Sequence, residues 1–513
     1  MNNSLKIILA AGFVAAVAFY ASSIMGEIPH GGFLVLAAVF GAYMAMNIGA
    51  NDVANNVGPA VGSGALTIGG AIIVASIFEA GGALIAGGDV VGTVKDGIIS
   101  SDAFGGDSMA FVYAMSAALL AAALWLNLAT WLKAPVSTTH SIVGGVLGGG
   151  IAAGGFSIVS WGTVGKIVAS WIISPLLGGA IAAIFLYVIK SQIVYKKDTL
   201  SAAKKMLPIL VAIMAAAFTT YLVLKGFKQV WPDIVGMLSF LPQDQKPSFL
   251  VASIFGSIAA VVTYVILKPK IAKKVIGMKG SREEINLLFT VPLIFAGALL
   301  SFAHGANDVA NAVGPLAAVY DALTSLAVSE EAAIPLWVMV TGGVGISVGL
   351  ALFGPRLIRT VGSEITELDQ MRAFSIMMAA AITVVIASQL GLPVSSTHIA
   401  VGAIFGVGFL REWLDSKEMG EKQKELQIEV AKQNVLKAEL AALRTVEDYK
   451  KQIELMEAVK VQKKKVKSLK RSLRENYVKR GMVKKIIAAW VITVPATAVF
   501  SAIIFYILRG VAL

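Results

Sequence analysis

The sequence predicts an all-α polytopic membrane protein built as an inverted-topology repeat, with broken helices, re-entrant half-helices and about 12–13 spans. Three observations carry this. The 513 residues are 57% hydrophobic and only 14% charged, where a soluble chain would carry about a quarter charged residues. The apolar residues gather into runs at 7–24, 109–128, 167–189, 206–224, 249–267, 371–390 and 486–508, each near the ~20 residues a helix needs to cross a bilayer. Finally, the string Gly-Ala-Asn-Asp-Val-Ala-Asn occurs twice, at 49–55 and 305–311, inside apolar sequence.

Each copy is followed by a second shared element, Pro135-Val136-Ser137-Thr138-Thr139-His140 and Pro393-Val394-Ser395-Ser396-Thr397-His398. A third match joins residues 165–175, containing Trp171 and Pro175, to residues 483–495, containing Trp490 and Pro495. The loops 190–205 (five Lys, one Asp) and 268–284 (six Lys/Arg, two Glu) are basic and mark the cytoplasmic face. The first copy of the tryptophan helix ends at Lys190 and the second begins at Lys484-Lys485. Matching helices therefore cross in opposite senses, with about five crossings per half.

The chain divides accordingly into an extra N-terminal helix (1–32), repeat 1 (33–190), a two-span linker (191–284), the first part of repeat 2 (285–410), a charged insertion (411–482) and a closing helix (483–513). The first apolar run has signal-peptide features, with Lys6 before it and Ala21-Ser22-Ser23 at its end. It reads as an uncleaved helix because the next run begins almost at once. Residues 411–485 hold 21 Lys/Arg against 12 Asp/Glu, most of the chain's excess of +12, so the basic balance needs no nucleic-acid partner. Apolar residues at three- and four-residue steps, Leu436, Leu440, Leu443, Val446, Tyr449, Ile453 and Met456, with no Gly or Pro between Gly420 and Gly481, predict a cytoplasmic helix, helical hairpin or coiled coil. It reads first as a solvated insertion packing on the inner face of the bundle; the alternatives are a partner protein, self-association as a homodimer, or contact of its basic end, Lys463 to Arg474, with anionic lipid. The absence of cysteine excludes disulfides and thiol chemistry.

An aspartate at bilayer depth is costly unless paired, protonated or coordinated. Asp52 and Asp308, with Asn51, Asn55, Asn307 and Asn311, supply hard oxygen donors suited to Na⁺ or a proton. The glycines beside them and the following Pro59 and Pro315 favour broken helices that free backbone carbonyls. The hydroxyls Ser137, Thr138, Thr139, Ser395, Ser396 and Thr397 stand at helix starts, where unpaired N–H groups and the positive dipole end attract an anion. The repeated motifs hold carboxylates but no Lys or Arg, so a dianion binds there only with cations or protons that offset the carboxylates. Co-transport follows from that charge balance. Glu79, His140 and His398 are further coupling candidates; ordinary helix-to-helix hydrogen bonds account for them equally well.

At these residues, and at Phe78-Glu79-Ala80-Gly81-Gly82, the chain resembles the inorganic phosphate transporter (PiT) family, over about residues 33–410 and 483–508. The resemblance implies a symporter that carries inorganic phosphate into the cytosol with Na⁺ or H⁺ and uses no cofactor. Asn51, Asp52, Asn307 and Asp308 would then serve the ion, with Asn51 and Asn307 also facing phosphate, and the six hydroxyls would serve phosphate. The Asn-Asp form of the motif is similar to that of the Na⁺-coupled members. H⁺-coupled phosphate, metal-phosphate or sulfate transport are the alternatives within the family. An intramembrane hydrolase built on an Asp and a His lacks the asymmetric site that catalysis requires, and the expected location is a cell membrane, such as a bacterial inner membrane.

Overall fold

The computed structural model describes all residues except 1, 27, 100–103, 105–106, 133, 135, 229, 238–243, 245, 325–333, 365–367, 415, 444–448, 476–479 and 513. The apolar runs form helices because each buries its own backbone polar groups in a medium that offers none. Eleven of the described helices are long and apolar enough to cross a membrane, against the 12–13 spans predicted. The two helices that begin at the hydroxyl motifs fall below that standard. Polar residues fix several starts. Thr67, Asp107, Ser248 and Asp369 each accept a backbone N–H from three residues on, and Ser281 with Glu284 forms a capping box.

An extra helix, α1 (Asn3–Met25), precedes the first half. That half runs α2 (Gly31–Asn51), α3 (Val53–Gly62), α4 (Ile68–Ala86), α5 (Gly88–Lys95), α6 (Ser108–Trp131), α7 (Thr138–Gly154) and α8 (Trp161–Ile189). A linker follows with α9 (Thr199–Gly226), α10 (Trp231–Met237), α11 (Phe249–Lys274) and α12 (Arg282–Leu287). The second half repeats the order of the first: α13 (Thr290–Asp308), α14 (Ala310–Thr324), α15 (Leu336–Phe353), α16 (Pro355–Glu364), α17 (Gln370–Gln389) and α18 (Ser396–Leu414). The insertion supplies α19 (Ser416–Ala442) and α20 (Tyr449–Glu475) before the closing α21 (Arg480–Ala512).

The halves are interleaved. α2 packs on α15 and α4 on α13, while α7 packs on α21 and α18 on α8. These crossings are close: a Cβ at Gly49 would collide with the Ile346 carbonyl, and one at Gly305 with the Glu79 carbonyl. Glycine is required at both places because the two backbones touch there. The same pair of collisions identifies Ile346 of α15 as the counterpart of Glu79, and the motif offset identifies Ile48 as the counterpart of His304. A buried ion pair, Lys95 Nζ to Asp321 Oδ2 at 2.8 Å, also joins α5 of one half to α14 of the other.

The insertion is a hairpin of two 27-residue helices. Val446 of the predicted stripe lies outside the described residues, as do the side chains of Arg471 and Arg474. Glu429 on α19 latches the pair. Its carboxylate meets Gln462 Nε2 at 2.5 Å, Lys432 Nζ at 3.1 Å and Lys465 Nζ at 3.2 Å. The Gln462 amide first, and then the two lysines, hold this carboxyl down to about 2. A depressed carboxylate stabilises the folded form above its usual range near 4.5, and the contribution fades as pH falls through about 2. Glu429→Gln is expected to speed amide hydrogen exchange along residues 425–433 and 458–466 by roughly two- to fivefold at neutral pH. Unchanged exchange would show that the latch carries nothing.

Candidate functional site

The two hydroxyl motifs start helices, as their spacing predicts. Ser137 Oγ accepts the His140 N–H at 3.1 Å to cap α7, and Ser395 Oγ accepts the His398 N–H at 3.2 Å at the start of α18. Pro135 lies outside the described residues. The interruptions at the aspartates are short: Asp52 keeps right-handed helical torsions between α2 and α3, and one residue, Val309, parts α13 from α14. An unwound stretch at each motif was the expectation; here Asp52 N–H still reaches the Ile48 carbonyl at 2.9 Å, so the helix barely opens. Pro59 and Pro315 sit inside α3 and α14 rather than at the breaks. Lacking an N–H, they deprive the Asn55 and Asn311 carbonyls of their helical donor.

Asn51 and Asn307 make matching clasps. Asn307 Nδ2 donates to Ser388 Oγ at 3.0 Å and the Leu392 carbonyl at 3.1 Å, and its Oδ1 accepts the Val394 N–H at 3.2 Å. Asn51 donates to Thr130 Oγ1 at 2.9 Å and the Ala134 carbonyl at 3.3 Å, and accepts the Val136 N–H at 3.3 Å. Turning the Asn51 amide over would keep the tie to Thr130 and meet Asp52 Oδ1 and the Val136 carbonyl; the orientation given is the one that matches Asn307. Both carboxamides thus hold the segment leading into a hydroxyl-capped helix.

Further along, contacts cross between halves. Asn55 Nδ2 donates to Thr397 Oγ1 at 2.8 Å, while Asn311 Nδ2 lies 3.2 Å from Thr138 Oγ1 and 3.3 Å from Thr139 Oγ1. Thr139 Oγ1 donates to the Val394 carbonyl at 2.9 Å. Thr397 Oγ1 is 3.2 Å from Asp52 Oδ1. At the centre, Thr138 Oγ1 stands 2.7 Å from Asp52 Oδ2 and 3.0 Å from Asp308 Oδ2. The two aspartates therefore converge on one hydroxyl, and all of these side chains are buried. Asp308 Oδ1, Asn311 Oδ1 and Ser396 Oγ are buried oxygens with no hydrogen-bond partner among the described residues, donors of the kind that a hard cation takes.

Glu79 joins this cluster through a residue absent from the sequence-based candidates. His304 Nδ1 lies 2.7 Å from Glu79 Oε2, and its Nε2 lies 3.1 Å from Asp308 Oδ2. Asn56 Nδ2 donates to the other Glu79 oxygen at 2.8 Å. Asp52, His304 and Asp308 present ligand atoms within 4.8 Å of one another. The sequence signal was available: His304 stands one turn before Asp308 in an apolar helix. Repetition concealed it, because its counterpart is Ile48. His140 and His398, which do repeat, go elsewhere. Their rings are 4.4 Å apart, and each meets the matched indole of its own half, Trp171 at 3.7 Å and Trp490 at 3.5 Å. They form a ring-packed seam between the halves.

Buried ionisable groups gathered between two repeated halves of a membrane bundle are the arrangement of a polytopic transporter. A sequence model of the phosphate transporter family matches residues 48–501. A Helicobacter pylori protein named "Putative phosphate permease" is 48% identical over 98% of this chain and 95% of its own length. A Chlamydia trachomatis protein of the same name is 37% identical over 74% of this chain and 90% of its own. Among solved structures, one titled "The sodium-dependent phosphate transporter" matches with a TM-score of 0.73 and 30% identity, over 93% of this chain and 99% of that one. This chain belongs to the phosphate transporter family.

Proposed function

We propose that the protein imports inorganic phosphate by symport with Na⁺, the two halves alternating access to the cluster around Thr138. The observation that carries this reading is the meeting of Asp52 and Asp308 over one buried hydroxyl, with Glu79 one histidine away. Three carboxylates gather around one imidazole, so when ionised they outweigh the single positive charge that a protonated His304 could offer. Phosphate, itself an anion, is repelled unless cations enter with it. The hydroxyls of Thr138, Thr139, Ser396 and Thr397 and the N-termini of α7 and α18 would take phosphate oxygens. Asp52, Asp308, Asn55 and Asn311 would take Na⁺. Asn51 and Asn307 act by clasping the two helix entries, and Ser137 and Ser395 by capping them.

The matched clasps and interleaved crossings support treating the halves as an inverted repeat, which moves as two bodies about a shared site. On that reading the basic loops at 190–205 and 268–284 and the α19–α20 hairpin face the cytoplasm of a cell whose outer boundary the protein spans. H⁺ coupling is a second reading, favoured by one observation: His304 links Glu79 to Asp308 and could carry a proton in place of a cation. Calorimetric titration of the purified protein with phosphate separates the two. Na⁺ coupling requires phosphate affinity to rise at least about tenfold when Na⁺ replaces choline at fixed pH. Equal affinity in both salts, with a steep dependence on pH, would move the coupling to the proton; preferential binding of sulfate would change the substrate.

A further inference from the structure

The helix outside the repeats, α1, packs against α2 and α15 along one side and leaves most of its surface facing outward. Between it and the bundle runs a groove of about 870 Å³, also walled by the ends of α2 and α6 and the α15–α16 corner. Its lining combines cations with apolar side chains. Asn3 and Lys6, from the first turns of α1, and Arg356, from the start of α16, all line it. Ile7, Ala11 and Val14 continue the same stripe of α1 as an apolar wall. A second groove of 560 Å³ lies farther along α1, between Phe13 and Val17 and the α15 residues Trp337 and Val344.

A groove at the start of a membrane helix, lined by two cations and an apolar stripe, is complementary to one molecule abundant in a bilayer. We infer that this groove binds an anionic phospholipid, with its phosphate between Lys6 and Arg356 and an acyl chain lying along α1. Free phosphate matches the two cations alone and has no use for the apolar wall. The volume suits a headgroup and the upper part of a chain. Thr130 lines the first groove and is also the acceptor that steadies Asn51, one residue from Asp52. A lipid bound there would lie beside the clasp that holds the entry to the first hydroxyl helix. This inference stands on the groove and the membrane location, independently of which cation is coupled.

The test is native mass spectrometry of the purified, delipidated full-length protein. Phosphatidylglycerol and phosphatidylcholine would be offered in turn, in the presence and absence of millimolar inorganic phosphate. Retention of one phosphatidylglycerol per chain, about tenfold in preference to phosphatidylcholine, is expected. Lys6→Gln with Arg356→Gln should abolish the preference, and Ala11→Phe should reduce retention of both lipids by filling the apolar wall. A thermal melt of each variant separates lost binding from lost folding, and the charge pair decides alone if Ala11→Phe unfolds. Equal retention of the two lipids overturns the inference, as does phosphatidylglycerol retention that survives in folded variants. Displacement by inorganic phosphate would instead mark the groove as a phosphate entry path, and would overturn it equally.

Discussion

Asp52→Asn is expected to lower phosphate uptake by about 30- to 150-fold while the protein still folds, the loss of a charge-assisted contact worth about 2–3 kcal/mol. Asparagine keeps the size of the side chain beside Thr138 and Thr397, whose hydroxyls stand 2.7 and 3.2 Å from the carboxylate oxygens, and needs only one of the two contacts to reverse, its N–H donating to the hydroxyl. It removes the negative charge that, on the proposed mechanism, a coupling cation would offset. Uptake into vesicles under a Na⁺ gradient measures the effect, and a melting curve checks the fold. Concentrative uptake that persists in Asp52→Asn with its ion dependence intact would remove Asp52 from the coupling site. The matching change, Asp308→Asn, differs in kind, because Asp308 also faces His304 at 3.1 Å.

The second large effect concerns that histidine. His304→Ile leaves Glu79 and Asp308 buried without their shared partner, a loss of about 3–5 kcal/mol in stability. Adding Glu79→Ile recreates at the α4–α13 crossing the apolar residues that Ile48 and Ile346 supply at the matching α2–α15 crossing. The double variant should therefore recover part of the lost stability, limited by Asn56, which forfeits its bond to Glu79 at about 1–3 kcal/mol, and by Asp308, still without His304. Uptake should stay low, since Asp308 has lost its neighbour. Melting of the two variants against the parent gives the answer. A single variant as stable as the parent, or a double variant no better than the single one, would show that the pair is not coupled.

Much of the site was legible because polar residues in a lipid-facing composition are conspicuous, and because they recur. Asp52, Asp308, the four asparagines of the repeated string and the hydroxyls of both caps all entered by that route. Their division of labour was not legible. Whether Thr138 or Thr139 faces the aspartates depends on a rotation of about 100° per residue around α7, and the sequence supplies no reference for that angle. The clasps of Asn51 and Asn307 depend on Thr130 and Ser388, residues some 80 positions away. His304 escaped for a different reason: repetition selected what the halves share, and the Glu79–His304 pair is where they differ. In the insertion, the apolar steps continue unbroken from Leu436 to Met456, so nothing in the pattern distinguishes one long helix from the α19–α20 hairpin.

The central claim, that buried carboxylates make phosphate entry depend on Na⁺, is tested most directly by radiolabelled phosphate uptake into proteoliposomes with Na⁺ and pH gradients imposed separately. Accumulation above equilibrium under an inward Na⁺ gradient alone, lost in Asp52→Asn, is the outcome this mechanism requires. Accumulation driven by a pH gradient alone, with no response to Na⁺, would contradict it.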